Sequence, residues 1–183
     1  MKSLMRNTAV TLAVLGSVGI VGTGMAHAQD DTKAVERPYR IKVGGFFPTE
    51  GDVKDAYGST FFSGGVSWDF SKTLATNPTV FTLYTDYTRG ERGDNTLGIW
   101  GLGVGARFLF APANSSGQPY GELGLGYYNV DFSPGPSAGR VGGKLGLGYQ
   151  LNQGLFGEVE YNLIDKVEGV NPSGVRLNVG YRF

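Results

Sequence analysis

Few residues in this chain could do chemistry. Its 183 residues include no cysteine and one histidine, His27. A serine hydroxyl is a weak nucleophile without a neighbouring base. Beyond residue 28 the chain offers neither an imidazole nor a thiol, so Ser-His and Cys-His catalysis lack their parts. Carboxylates remain. Glu158 and Glu160 stand two apart, which on a strand places both on one face. Such a pair could act as general acid and base, or each could hold a cation. Lys144 and Arg176, in the flanking segments, favour ion pairing. No set of side chains has metal-ligand spacing, and neither a metal nor another cofactor is expected. Asp52, Asp55, Glu91 and Asp94 lie in polar stretches, where solvated charge is the natural reading.

The first 28 residues read as a secretory signal. Lys2 and Arg6 give a positive start, Val10 to Val21 is an apolar run, and Ala26-His27-Ala28 is an A-x-A site. Cleavage is expected after Ala28. The apolar run is interrupted by Gly16 and Gly19 and falls short of the ~20 residues a spanning helix needs. Residues 29–38 then form a polar lead-in, and 39–183 a single domain. Removing the signal takes away His27 and two positive charges. The balance of 16 basic and 16 acidic residues becomes 14 and 16, a net charge of −2. That is no electrostatic footprint for nucleic acid. Without cysteine, an exported chain of this size relies on pairing and burial alone.

The elements that would position these charges are strands. Val175-Arg176-Leu177-Asn178-Val179-Gly180-Tyr181-Arg182-Phe183 alternates without a break, apolar on odd positions and polar or glycine on even ones. Seven earlier segments do the same: Tyr39–Phe47, Thr60–Phe70, Val80–Thr88, Leu97–Phe110, Tyr120–Val130, Arg140–Leu151 and Leu155–Ile164. Between them lie polar or Gly/Pro-bearing connections, expected as loops at 49–58, 71–79, 89–95, 111–118, 131–139 and 165–173, with a tight turn at Asn152-Gln153-Gly154. No segment has apolar residues at helical spacing. The expected fold is all-β: eight strands of about 9 to 14 residues, where a tilted membrane strand requires roughly 9–11.

Which face meets oil follows from what shares a face. Glycine falls on the charged face at Gly44, Gly101, Gly103, Gly105, Gly124, Gly126, Gly146, Gly148 and Gly180. A soluble barrel would instead fill its interior with bulky apolar groups. A narrow barrel turned the other way has little room inside, and small inward residues suit it. Aromatics gather toward strand ends, Tyr39, Phe70, Phe81, Phe108, Phe110, Tyr149, Tyr181 and Phe183 at one and Phe47, Phe62, Tyr87, Trp100 and Tyr127 at the other. Two such girdles mark a lipid-facing barrel. The inward charges are then Arg40, Lys42, Asp69, Asp86, Arg107, Glu122, Lys144, Glu158, Glu160, Arg176 and Arg182. Cations occupy strands one, four, six and eight, and acids two, three, five and seven. Glu158 and Glu160 are expected between Lys144 and Arg176. Of this network Lys42, Arg107, Glu122, Lys144, Glu158, Glu160 and Arg176 form the candidate site, read as a salt-bridged plug or, alternatively, as the lining of a narrow channel or transporter for small polar or hydrophobic molecules.

The strand count, the two girdles and the terminal alternation ending on Phe183 resemble the small eight-stranded outer-membrane barrels, the OmpA-, OmpX- and OmpW-like proteins. The resemblance covers 39–183 and rests on pattern, not on a long shared motif. It implies an antiparallel up-and-down transmembrane β-barrel in the bacterial outer membrane. Enzymes among such barrels use a histidine, so its lack after residue 28 disfavours a lipid-modifying enzyme, and a non-enzymatic structural or surface-interaction role is expected. The resemblance also implies outer-membrane lipid as surroundings, a monomer, and assembly through periplasmic chaperones and the barrel-insertion machinery. In that family the machinery reads a terminal aromatic strand, here carried by Val179, Tyr181 and Phe183. The protein is therefore expected to fractionate with the outer membrane and to begin near Gln29. N-terminal sequencing of the membrane fraction checks both, and recovery of Met1 or of a soluble periplasmic protein would count against them.

Overall fold

The computed structural model describes residues 37–70, 79–110 and 117–183. The signal segment with Ala26 and Ala28, and most of the connections at 71–79 and 111–118, lie outside them. Eight strands run in chain order: β1 Tyr39–Pro48, β2 Phe61–Asp69, β3 Thr79–Arg92, β4 Asn95–Leu109, β5 Gln118–Ser133, β6 Ser137–Gln150, β7 Leu155–Ile164 and β8 Gly174–Arg182. Each pairs antiparallel with the next, and β1 pairs with β8, so the sheet closes into a barrel. Closure is what a strand structure in hydrocarbon must achieve, because each unpaired backbone group would cost several kcal/mol. Tyr39 and Phe183 complete the seam with hydrogen bonds of 3.0 and 2.9 Å in the two directions.

Period 2 sorts the side chains as expected. Leu125, Leu147 and Phe62 stand 70%, 62% and 59% exposed on the outer wall. Arg40, Lys42, Asp69, Asp86, Arg107, Glu122, Lys144, Glu158, Glu160 and Arg176 are buried in the lumen. The girdle aromatics Tyr39, Phe70, Phe81, Phe110, Tyr149 and Tyr181 are exposed at the end where the chain enters and leaves. Phe62, Trp100 and Tyr127 are exposed toward the other.

Three connections depart from the sequence reading. The polar stretch 49–58 contains a helix, α1 (Gly51–Tyr57), not a loop alone. Seven residues are too few to be helical in isolation, so tertiary contacts hold it. Val53 is fully buried, the Arg92 guanidinium donates to the Asp55 carbonyl at 2.6 Å, and Asn95 Nδ2 donates to the Ala56 carbonyl at 3.2 Å. The stretch 89–95 is mostly strand, since β3 and β4 pair until Arg92↔Asn95 and only Gly93-Asp94 turns. Likewise 131–139 is strand apart from Pro134-Gly135-Pro136. The barrel wall is therefore uneven. β3 to β6 have 14 to 16 residues, while β1, β2, β7 and β8 have 9 or 10.

On the tall side the polarity of the wall inverts. Up to Tyr87, Trp100, Tyr127 and Val141, apolar side chains face out. Beyond that level the outward positions are Arg89, Glu91, Thr96, Asn129, Asp131, Ser133 and Ser137, and the inward ones are Leu97, Ile99, Val130 and Phe132. The lower wall is arranged for oil outside, the upper wall for water outside.

Nor do the inward glycines leave empty room. A Cβ at Gly103 would stand 2.5 Å from Tyr84 Oη, and one at Gly142 2.5 Å from the Leu163 carbonyl and 2.9 Å from the Tyr128 ring. Gly148 lies against Tyr120 and Gly180 against Phe156. The glycines are flat ground on which large inward rings lie. By contrast Gly157 faces out, and a Cβ there meets nothing closer than the Asn178 carbonyl at 3.9 Å. Three substitutions should then rank in order. Leu147→Arg puts charge into lipid and should cost about 2–4 kcal/mol if it lies at the midplane. Gly142→Ala should also destabilise, by forcing strand β7 and Tyr128 away, and Gly157→Ala should be near neutral. Urea unfolding of the three variants in lipid bilayers checks the order.

Candidate functional site

All eight strands contribute charge to the lumen. Arg40, Lys42, Arg107, Lys144 and Arg176 supply five cations, and Asp69, Asp86, Glu122, Glu158 and Glu160 supply five carboxylates, each at most 8% exposed. Arg182, 26% exposed, joins from the rim to Asp69 at 3.5 Å. The strand register explains who meets whom. Glu160 pairs with Arg176 on β8 and with Gly146 on β6, one step from Lys144. Its oxygens lie 3.2 Å from Lys144 Nζ and 3.6 Å from Arg176 Nη1. A third cation, Lys42 on β1, reaches Glu160 at 2.8 Å from beyond β8. Asp86 on β3 is a second hub, with Arg176, Lys42 and Lys144 at 3.1, 3.3 and 3.8 Å. Glu122 meets Lys144 at 2.7 Å and Arg107 at 3.1 Å, and Arg107 also holds Asp69 at 2.9 Å. All ten groups form one connected network.

The seven candidate residues, Lys42, Arg107, Glu122, Lys144, Glu158, Glu160 and Arg176, thus come together. One pairing differs from expectation. Glu158 is not flanked by Lys144 and Arg176. It lies opposite Gly148 and Asn178, one step nearer the chain ends, and takes Lys42 at 2.9 Å and Arg40 at 3.5 Å instead. Tyr120 Oη also donates to it at 2.8 Å. Asn178 Nδ2 donates to Glu158 at 3.3 Å and to Glu160 at 3.1 Å, bridging the two levels. Val179 and Tyr181 face out from β8, and the Phe183 ring sits 6.0 Å from that of Tyr39.

Rings complete the site. The Arg40 guanidinium lies 3.7 Å from the Phe156 centroid and 5.0 Å from that of Tyr120. Lys144 Nζ stands 3.8 Å over Tyr84, whose hydroxyl meets that of Tyr128 at 3.2 Å. Cation–π contact offsets part of the desolvation cost where no further carboxylate fits.

Above the charges, at the end away from the chain termini, lies an apolar layer. Phe46, Phe61, Leu97, Ile99, Tyr128, Val130, Phe132 and Ile164 pack there with Val53 of α1 and Val167 of the β7–β8 connection. Val167 and Val170 form a small bridged turn around Glu168 and Gly169, both at positive φ. Burial beside Phe132 pushes the Tyr57 phenol above its ordinary value. This layer was absent from the sequence reading. Its signal is a change of phase: β5 is apolar at Leu123, Leu125 and Tyr127, then at Val130 and Phe132.

Chemically, each lumen carboxylate is engaged by at least one cation, so none stands as a free base. Among the described residues no group of carboxylates could hold a metal ion. Removing one member of a buried pair typically costs about 3–5 kcal/mol. Glu160→Gln leaves Lys42, Lys144 and Arg176 with one fewer counter-charge and should lower the unfolding free energy by an amount in that range, read as a lower midpoint by urea titration in bilayers. A midpoint within error of the parent would place Glu160 in hydrated surroundings.

A family model for the outer membrane protein beta-barrel domain matches residues 13–183. No curated protein matches the chain. Among solved structures it is similar to the outer membrane enzyme PagL, with TM-score 0.58 and 17% identity over 79% of this chain and 98% of that one. Neisserial surface protein A aligns with TM-score 0.52 and 19% identity, over 79% and 92%. The N-terminal β-barrel domain of Pseudomonas aeruginosa OprF aligns with TM-score 0.50 and 14% identity, over 80% and 98%. At such identities the likeness is one of fold. The family match, together with a closed eight-stranded wall that is apolar outside and charged within, identifies this chain as a member of the outer membrane protein beta-barrel domain family, located in the outer membrane.

Proposed function

We propose that the protein is a non-enzymatic barrel with a structural or surface-interaction role, its lumen filled by a salt-bridged plug. The observation that carries this reading is charge balance: five buried cations against five buried carboxylates in one connected network. A passage needs groups that bind its cargo and release it. Here the lumen groups are committed to one another, and the apolar layer around Phe46, Leu97 and Phe132 adds a second barrier in series. An eight-stranded interior is narrow enough for side chains to fill.

The non-enzymatic part rests on chemistry and not on fold, since PagL is an enzyme on a similar barrel. It is supported by a sequence without histidine or cysteine after residue 28 and by lumen carboxylates that all carry cations. In this reading outer-membrane lipid covers the apolar wall. The tall β3–β6 wall and α1 present the polar surface available to partners. Periplasmic chaperones and the insertion machinery act during assembly, on Val179, Tyr181 and Phe183. A closed wall with no free sheet edge within the lipid-facing band suits a monomer.

Planar-bilayer recording of the refolded protein tests the plug. Silence is expected under applied voltage. Regular ion-scale steps in the unaltered protein would replace the plug by a narrow channel, the alternative reading of the same lumen.

A further inference from the structure

The outer wall carries glycines as well as the lumen, and three in the lipid-facing band are covered by rings of the chain itself. A Cβ at Gly45 would meet the Phe47 ring at 3.3 Å, one at Gly64 the Phe62 ring at 3.7 Å and one at Gly121 the Phe110 ring at 2.8 Å. Gly157 has no such cover, since nothing lies nearer than the Asn178 carbonyl at 3.9 Å. It floors a groove of about 580 Å³ across β6, β7 and β8. Tyr149 and Val179 flank it by register, and Leu147, Val159 and Leu177 continue the groove one outward row farther up. A step left unfilled in a wall forfeits contact on that side. At this depth the filler is hydrocarbon.

A cation stands at the lower end of the groove. Gly154, in the β6–β7 turn, precedes Gly157 by three residues, about 10 Å at ~3.3 Å per residue. Arg37 Nη1 donates to the Gln153 carbonyl in this turn at 2.7 Å. The same Nη1 would stand 2.5 Å from a Cβ at Gly154, and the outward Tyr181 ring 3.3 Å from it. The guanidinium is thus set beside a girdle ring, at the level of the lipid headgroups. Arg182 Nε donates to the Arg37 carbonyl at 2.5 Å and fixes the backbone there. Among the described residues no carboxylate pairs with Arg37, and its Nε and Nη2 make no hydrogen bond. Those two nitrogens form one edge of the fork, the geometry that holds a phosphate through two parallel bonds.

We propose that the Gly157 groove and Arg37 form one phospholipid site, with an acyl chain in the groove and the phosphate on the guanidinium. The groove alone would accept any apolar surface, a second barrel included. The cation at its end narrows the choice to an amphiphile whose anionic group and chain are joined at that spacing. Leu155 and Tyr181, paired across β7 and β8, lie between the two parts and flank the glycerol region. A side chain at 157 would meet no steric bar, so its lack leaves the slot open to lipid. The inference rests on the membrane location of the wall and not on the plug, so a conducting lumen would leave it standing.

The test is native mass spectrometry of the protein extracted by mild detergent from vesicles of phosphatidylglycerol and phosphatidylethanolamine. One phospholipid is expected to stay on each barrel, and a parent that keeps none overturns the site. This measurement needs no variant. Arg37→Gln and Gly157→Leu should each cut retention about tenfold, the scale of one charge-assisted hydrogen bond lost. Arg37→Lys keeps the charge without the fork and should fall between parent and Arg37→Gln. Two variants that retain as much lipid as the parent overturn the proposal. Loss in Arg37→Gln alone, with displacement by inorganic phosphate, would leave a bare anion site. Loss in Gly157→Leu alone would leave a groove for any apolar surface, and either result overturns the joined site. A doubled protein mass that Gly157→Leu abolishes would assign the groove to a second copy and overturn it as well.

Discussion

Asp86 holds Arg176, Lys42 and Lys144 within 3.8 Å, and all three also lie within 3.6 Å of Glu160. An ion moved from water into a dry interior loses hydration worth several kcal/mol after relaxation, and a counter-ion offsets that loss only at contact distance. The rest of the interior follows from this requirement. Carboxylates and cations must sit at matching heights on different strands, so the register cannot slip. A shift by one residue would turn the network into the lipid and Leu147 or Val159 into the lumen. Neutrality and register are one constraint seen from two sides.

The same physics, applied above the lipid, yields the opposite arrangement. Where water replaces hydrocarbon outside, apolar groups gain by turning inward. Leu97, Ile99, Val130 and Phe132 do so, and α1 closes over them with Val53. The chain thus carries a small water-type core stacked on a membrane-type lumen. The level of the switch, at Tyr87, Trp100 and Tyr127, is where aromatic rings favour the interface. A single closed sheet serves both solvents by changing the phase of its alternation.

Period 2 made most of this legible. Strand number, the seam between β1 and β8, the outer girdle and the inward set from Arg40 to Arg182 all follow from alternation. The ends of β7 at Leu155 and Ile164 can be read directly. What escaped has identifiable causes. Segments 89–95 and 131–139 are rich in Gly, Pro and charge and resemble loops, but their outward face is wet and can bear those residues. α1 shows one buried residue, Val53, too few for a helical period. Glu158 and Glu160 share a face, yet their partners depend on stagger between strands, which no single strand reveals. Lys42 reaches Glu160 across β8 because the lumen is narrow, a three-dimensional fact with no mark in the order of residues.

Tyr84 projects from β3, crosses Gly103 of β4 and lies against Gly124 and Gly126 of β5. Its ring thereby touches a strand with which β3 never pairs. The sequence histories of these positions cannot be independent. A side chain acquired at 124 would have to follow the loss of the ring at 84, whereas Gly103 and Gly126 are also held by the Leu125 and Leu102 carbonyls, 2.3 and 2.7 Å from where a Cβ would stand. In descendants of this chain, drift at 84 and 124 should proceed together, leaving correlated substitutions between β3 and β5 that mimic a strand pairing the barrel does not contain.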